Sequence, residues 1–339
     1  MPKATLLEIA RKLNLSKSTV SVALRDKAGV SEPMRARIKA EAARLDYRPD
    51  PVAGELMAMV RSRRQKVGVQ TIAFINTFHD PKLLQTVPCF CSFYEGAKEM
   101  AELYGYKLEV FNAFGGGMRP RRLSSVLKSR GIRGVLIGAR WMDEPDIEFD
   151  WDAFSCVLVG EARYGASLYR VCNHHVQSCS LALRKLVDLG YRRIGVMLDE
   201  RYESSRGFDY LLGVDEARHT LGSQAEFIGW MRSGWNKAQF VRWVQENQLD
   251  AVLSQFEEAA CARELQTAKG NGVAYACLVK AEDSTGAGIE QYSHEIGRAS
   301  MEMLRSLLNA GERGTIPHPR ITLIEGRWVD GETAPSITG

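Results

Sequence analysis

Apolar residues follow two different spacings along this chain. From Leu6 to Leu45 they recur every three or four positions; from Thr71 onward short apolar runs alternate with helical stretches. The first spacing predicts amphipathic helices, and the second predicts strands joined by helices. Leu6, Ile9, Ala10 and Leu13 form one apolar face, and Asn14, which tolerates the left-handed conformation, ends it. Ser16 is placed as N-cap of a second helix with Val20, Ala23 and Leu24 turned inward. Lys17, Ser18, Ser21 and Val22 are left on its outer side, near its start. Ser31 caps a third helix, with Pro33 in the first turn and Ile38, Ala42 and Leu45 inward.

Two short helices joined by a tight turn, the second opening on small polar residues, make a shape that a duplex major groove accepts. A small helical bundle of another kind is the alternative, but few such bundles combine this turn with this polar helix start. Tyr47-Arg48-Pro49-Asp50-Pro51 stops the third helix, because each proline disfavours helix at the residue before it. Val52 to Arg64 then reads as a short hinge helix, marginal alone and expected to form when DNA and a partner subunit pack against it. Its Leu56 is a candidate wedge between base steps in the minor groove, or else packs on a neighbouring helix. Charge agrees with a nucleic-acid arm. Residues 1–66 hold 15 Lys plus Arg against 7 Asp plus Glu, a net of +8, while residues 67–339 carry a net of −4.

Beyond residue 70, strands are expected at Thr71–Ile75, Lys107–Phe111, Gly134–Ile137 and Cys156–Val159. The helices between them run from Tyr94 to Leu103 and from Arg121 to Ser129. A second series begins near Tyr169, with strands at Arg193–Met197, Ala225–Ile228, Ala251–Ser254 and Val273–Leu278, and helices over about 175–189, 206–219, 236–247 and 257–268. Such alternation means parallel sheets with right-handed crossovers, and two series mean two doubly wound subdomains with a cleft between them.

The remaining chemistry narrows the function classes. Seven cysteines without a framework spacing suit reduced thiols. Cys172-Asn173-His174-His175 with Cys179 has the residue types of a metal site, but adjacent histidines rarely converge on one ion, so no metal and no cofactor is expected. Gly115-Gly116-Gly117 lacks the nearby Lys-Ser/Thr of a phosphate loop, and no nucleophile elbow or His-Glu-x-x-His helix is present, which argues against an enzyme. No 18-residue apolar run and no apolar leader appear, predicting a cytoplasmic protein with no membrane partner.

Residues 4–64 resemble the headpiece and hinge of the lac repressor/galactose repressor family of bacterial transcription regulators. The stretches that carry the likeness are TLLEIARKLNLSKSTVS, VSEPMRARIKAEAARLDYRPDP, and Val52-Ala53 with Leu56. The body resembles the family's effector domain, similar to periplasmic sugar-binding proteins, through LALRKLVDLGYRRIGVML, LDAVLSQFEEAA, GIEQYSHEIGRASMEMLRSLLNAG and RITLIEGRWVDGET. The resemblance implies base reading by Lys17, Ser18 and Val22, with Leu56 in the minor groove, and phosphate contacts from Thr5, Ser16, Thr19, Ser21 and Ser31. Position 22 usually carries Arg; Val22 offers only apolar contact, as to a thymine methyl, so a different half-site is expected.

The expected architecture is thus an α headpiece followed by an α/β body: a helix-turn-helix domain over 1–50, a hinge over 51–66, and an effector-binding and dimerisation domain over 67–339. Its first subdomain takes about 67–167 plus 295–328, where the chain crosses back, and its second about 168–294. Ligands of this fold lie at the carboxyl ends of the strands, near Asn76, Phe78, Trp141, Asn173, Arg206, Trp235, Phe256 and Asp283. The expected partners are a near-palindromic operator, a second copy of the chain, and a small effector, a sugar or related metabolite. Three departures from the family pattern put the common sugar geometry in question: Phe256-Glu257 in place of Asn-Asp, Arg206 directly before Gly207-Phe208, and Ala281-Glu282-Asp283-Ser284 in place of Gly-Phe-Asp-Asp. The other reading is a cytoplasmic small-molecule sensor without specific DNA binding.

Overall fold

The computed structural model describes residues 5–24, 29–45, 47, 69–114, 120–140, 146–161, 164–267, 272–281 and 283–337. They fall into two compact units, Met1–Gly68 and Val69–Gly339. The expected hinge helix with Leu56 lies outside the described residues, as do Trp141 and the side chain of Arg206.

In the smaller unit, α1 (Leu6–Leu13) opens on a reciprocal cap: the Glu8 amide donates to the Thr5 hydroxyl, and the Thr5 amide donates to Glu8 Oε2 at 2.7 Å. Asn14 ends it at φ 55°, in the left-handed region. In α2 (Lys17–Leu24) the Ser16 hydroxyl accepts from the Thr19 amide at 3.0 Å, as expected of an N-cap. Before α3 (Glu32–Arg44), Ser31 holds the cap position but its side chain makes no capping bond, a correction to the expected cap. Ile9, Ala10, Val20, Ala23, Ile38 and Ala42 form the core, and Leu24 and Leu45 pack half-buried at its edge.

The larger unit holds two six-stranded sheets. The first contains β1 (Gln70–Asn76), β2 (Tyr106–Asn112), β3 (Gly134–Ile137), β4 (Ser155–Val159), β5 (Tyr169–Asn173) and β11 (Ile321–Ile324). Its order is β11-β5-β4-β3-β1-β2, with all pairs parallel. The second contains β6 (Arg193–Asp199), β7 (Glu226–Arg232), β8 (Ala251–Ser254), β9 (Ala274–Cys277), β10 (Ala287–Glu290) and β12 (Arg327–Val329). Its order is β12-β10-β9-β8-β6-β7, with β12 antiparallel to β10. β3, β4, β8 and β9 are buried along their whole length, because helices cover both faces of each sheet. The helices are α4 (Leu83–Thr86), α5 (Pro88–Leu103), α6 (Pro120–Ser129), α7 (His175–Asp188), α8 (Glu200–Arg206), α9 (Asp209–Leu221), α10 (Lys237–Glu246) and α11 (Ser293–Ala310).

Several expected boundaries move. Tyr169–Asn173 belongs to the first sheet, because it pairs with β4 on one side and β11 on the other; the first crossover therefore comes after Asn173 rather than near 168. The return from 293 completes the first subdomain through α11 and β11, but β12 goes back to the second sheet. The helix expected over 206–219 is broken by Gly207 (φ 81°) and Phe208 (φ 65°). The expected helix over 257–268 is a 3-10 helix over Glu257–Glu264. Its cap carbonyl, on Phe256, accepts from the Ser254 and Tyr275 hydroxyls at 2.5 and 2.9 Å.

Candidate functional site

The headpiece presents its polar face on α2. Lys17 and Ser18 are exposed and Val22 is half-buried, while Val20 and Ala23 on the opposite side are buried. At the start of that helix the Ser16 hydroxyl lies 2.7 Å from both the Ser18 and the Thr19 hydroxyls. Three hydroxyls beside a helix N-terminus suit a phosphate oxygen, since donors and dipole point the same way. Thr5 and Ser31 are exposed and Ser21 is half-buried. On α3 two ion pairs form within the helix, Glu32 with Arg35 and Glu41 with Arg44. Glu41 receives Arg44 at 2.8 and 2.9 Å, which holds its carboxyl below the ordinary carboxylate range.

The chain crosses between the two subdomains of the body three times: at 173–175, at 290–293 and at 324–327. Each crossing leaves from the carboxyl end of a strand, β5, β10 or β11. The Asn173 side chain at the end of β5 bonds Gln291 just beyond β10, so the carboxyl ends of the two sheets meet here.

The first-sheet end is closed over by aromatic residues. Asn76 donates to the Pro81 carbonyl (3.2 Å) and Asn112 Oδ1 (3.0 Å), and accepts from the Phe78 amide (3.2 Å). Its amide therefore organises the turn after β1. Phe78 is buried, with its ring 4.7 Å from that of Phe90. With Phe74, Leu84, Phe93, Gly138 and Ala139 these residues line a cavity of about 10 Å³, room for about one water. His79 stacks flat on Phe114 at 4.4 Å. The segment 79–87 contributes α4, with Leu84 on this lining.

The second-sheet end is charged. Asp199 and Arg232 are register partners at the ends of β6 and β7, both buried, with Oδ2 3.8 Å from Nη1. The Asp199 amide donates to Gln255 Oε1 at 2.7 Å, and Gln255 Nε2 donates to the buried Glu203 at 2.8 Å. Trp235, 37 % exposed, lies 5.8 Å from the Arg232 guanidinium and 5.3 Å from Phe240. Phe256 is half-buried, edge-on to Tyr202 at 4.7 Å. Asp283 is exposed in a turn.

Among the expected effector residues, Trp235 and Phe256 thus sit at the carboxyl ends of the second sheet, while Asn76, Phe78 and Asn173 are engaged inside the protein. Sequence reasoning passed over Asp199, Glu203, Arg232, Gln255 and Gln291. Asp199 and Gln255 were detectable as polar residues just beyond an apolar strand; Arg232 was hidden because β7 runs four residues past its expected end.

The residues with metal-site or nucleophile chemistry have other occupations. The His174 ring accepts from the Gln177 amide at the start of α7, and His175 Nε2 lies 2.8 Å from Glu161 Oε1. Among the described residues no group of three or more His, Cys, Asp or Glu could hold a metal ion. Burial pushes the Cys172 thiol up to about 12 and raises those of Cys156 and Cys179 further, so these thiols stay protonated. Among the described residues no helix is long and apolar enough to cross a membrane.

Residues 5–50 match the model of the bacterial regulatory proteins of the lacI family, and residues 81–255 match that of the periplasmic binding proteins and sugar binding domain of the LacI family. The chain is 26 % identical over 234 residues to the NTD biosynthesis operon regulator NtdR of Bacillus subtilis (strain 168), covering 66 % of this chain and 64 % of that protein. It is 24 % identical over 258 residues to the ribose operon repressor of Escherichia coli (strain K12), covering 67 % and 74 %. In fold it is similar to the lac repressor dimer bound to operator and the anti-inducer ONPF, with a TM-score of 0.59 at 18 % identity, over 98 % of this chain and 100 % of that one.

Proposed function

This chain belongs to the LacI family of bacterial regulatory proteins, and from that premise we propose that it is a sequence-specific transcription repressor controlled by a small ligand. The carrying observation is the union, in one chain, of a helix-turn-helix unit with an outward polar start on α2 and a two-sheet body whose strand ends converge. Two headpieces of a homodimer occupy the halves of a near-palindromic operator, with the residues 51–66 paired at its centre. Lys17, Ser18 and Val22 read bases, Leu56 wedges the minor groove, and Thr5, Ser16, Thr19, Ser21 and Ser31 hold phosphates. The protein works in the cytoplasm, without a cofactor and without catalysing a reaction.

The ligand is a sugar or related polyhydroxylated metabolite. The Asp199–Arg232–Gln255 wall supports hydrogen-bonding to hydroxyls, and the half-exposed Trp235 supports stacking on an apolar ring face. The ligand binds the open and closed cleft unequally, and that difference shifts operator affinity.

The test is selection of bound fragments from the source genome by the full-length protein and by a form lacking residues 1–66. A near-palindromic site recovered by the full-length protein alone is the expected result. Recovery of no site by either form, together with saturable binding of a sugar, would replace this reading with that of a sensor without specific DNA contact.

A further inference from the structure

We propose that Asn173 and Gln291 form a bolt across the inter-subdomain hinge, and that this bolt, rather than a ligand contact, is the work of the Asn173 side chain. The inference rests on the two-state cleft described above for its consequence, but not for its geometry.

Asn173 Nδ2 donates to both the backbone carbonyl and Oε1 of Gln291, each at 2.8 Å. Gln291 Nε2 donates in turn to the Leu278 carbonyl at 2.5 Å and lies 3.5 Å from the Tyr210 hydroxyl. Two of these acceptors are backbone carbonyls, which cannot donate, so the orientation of both side-chain amides is fixed. Both residues are 6 % exposed.

The bolt is anchored at each end. On the first-subdomain side, Glu161 beyond β4 accepts from the Asn173 backbone amide at 3.2 Å and lies 2.8 Å from His175 Nε2. On the second-subdomain side, Leu278 follows β9 and Tyr210 belongs to the core of α9. A side-chain chain from Glu161 to Leu278 therefore joins the subdomains through two of their three crossings. The third is tied in by the His174 amide, which donates to the Ile324 carbonyl at 2.8 Å, and by Arg327, which bonds Glu290 at 2.7 Å and lies 5.8 Å over the Tyr292 ring. Tyr292 itself stands at φ 51°, a left-handed conformation that a tyrosine holds only where its surroundings fix it. Opening or closing the cleft must pass its rotation through this cluster, so the strength of the bolt sets how readily the ligand-free protein moves.

The test is hydrogen exchange on full-length, ligand-free protein, read at the His174 amide and at the Ile296 amide, which donates to the Tyr292 carbonyl. In the wild type the two amides should open with one shared free energy. Asn173→Ala and Gln291→Ala should each speed both amides by about tenfold, the effect of losing one to two buried hydrogen bonds. The double variant should be faster than either single variant but by less than their combined effects, because both singles already lose the Asn173–Gln291 Oε1 bond. Asn173→Asp keeps the shape but sets a carboxylate against two acceptors, and should be faster still. Amides inside β1 and β8 should not change. Independent opening in the wild type, unchanged rates, additive effects, or equal acceleration of the β1 and β8 amides would each overturn the bolt. These readouts involve neither DNA nor ligand. Failure of the genomic selection with the exchange result intact removes only the regulator reading, and the reverse outcome removes only the bolt.

Discussion

A Cβ added to Gly297 in the body would collide with the carbonyl oxygen of Phe93, whereas one added to Gly29 in the headpiece would meet nothing within 4 Å. The contrast extends through both regions. In the body α5 and α11 approach through Gly96 and Gly297, and α9 rests on α7 where a Cβ on Gly213 would come 2.6 Å from the Val176 carbonyl. Helices there meet backbone to backbone. In the headpiece three short helices are held apart by six buried side chains, with Leu6, Leu13 and Leu24 among the partly buried residues packed against them. The body therefore fails by overpacking and the headpiece by underpacking, and changes of opposite sense should separate the two.

The largest effect is expected at a helix crossing of the body. Gly297→Ala must push α11 off α5, at a cost of about 3 kcal/mol or more for so close a clash with backbone. In calorimetry the body transition should move down sharply while that of the headpiece stays in place. An unmoved body transition would mean that the two helices do not approach as closely as described.

The opposite change tests the headpiece. Ile38→Ala removes a fully buried side chain at the junction of the three helices, for about 2–5 kcal/mol. A unit this small holds little more stability than that. Operator binding should be lost and the headpiece transition should vanish, with the body transition unchanged. Retained operator binding at ordinary temperature would show that the core has support beyond the side chains named.

The same contrast explains what the sequence disclosed. Lys17 and Ser18 could be placed outward because Val20 and Ala23 fix the phase of α2 within one turn, so everything needed lay within eight residues. Most strands were legible for a similar reason: an apolar run in a parallel sheet is buried on both faces and declares itself locally. The need for glycine at 297 was not legible, because it depends on a helix that begins at Pro88. Asn173 could be assigned to the carboxyl end of a strand, but not to Gln291, since β10 is four residues long and half of it is Ala and Gly. Arg232 was missed when an edge strand of mixed polarity ran on past its apolar start. Local phase was readable, and partners distant in sequence were not.

Smaller effects should appear on the outer face of the headpiece, where packing imposes little. If Lys17 reads a base as proposed, Lys17→Ala should change which half-sites are bound, costing about 1–3 kcal/mol at one base position while leaving others alone. Equal loss on all sequences would move Lys17 from the bases to the phosphates.

Thr5 and Ser31 make the finest comparison, because they occupy the same position on two helices and share a proposed phosphate contact, but only Thr5 also caps its helix. Thr5 closes a capping box with Glu8, so Thr5→Ala should cost the headpiece about 0.5–2 kcal/mol of stability. Ser31 stands at the cap of α3 with no capping bond from its side chain. Ser31→Ala should therefore leave the headpiece transition within about 0.5 kcal/mol. Its exposed hydroxyl is proposed, like that of Thr5, to meet a phosphate oxygen, so the same substitution should weaken binding to every DNA sequence alike. A paired measurement of melting and operator titration decides the matter. Destabilisation by Ser31→Ala would restore its capping role, and intact affinity for all sequences would remove its phosphate contact.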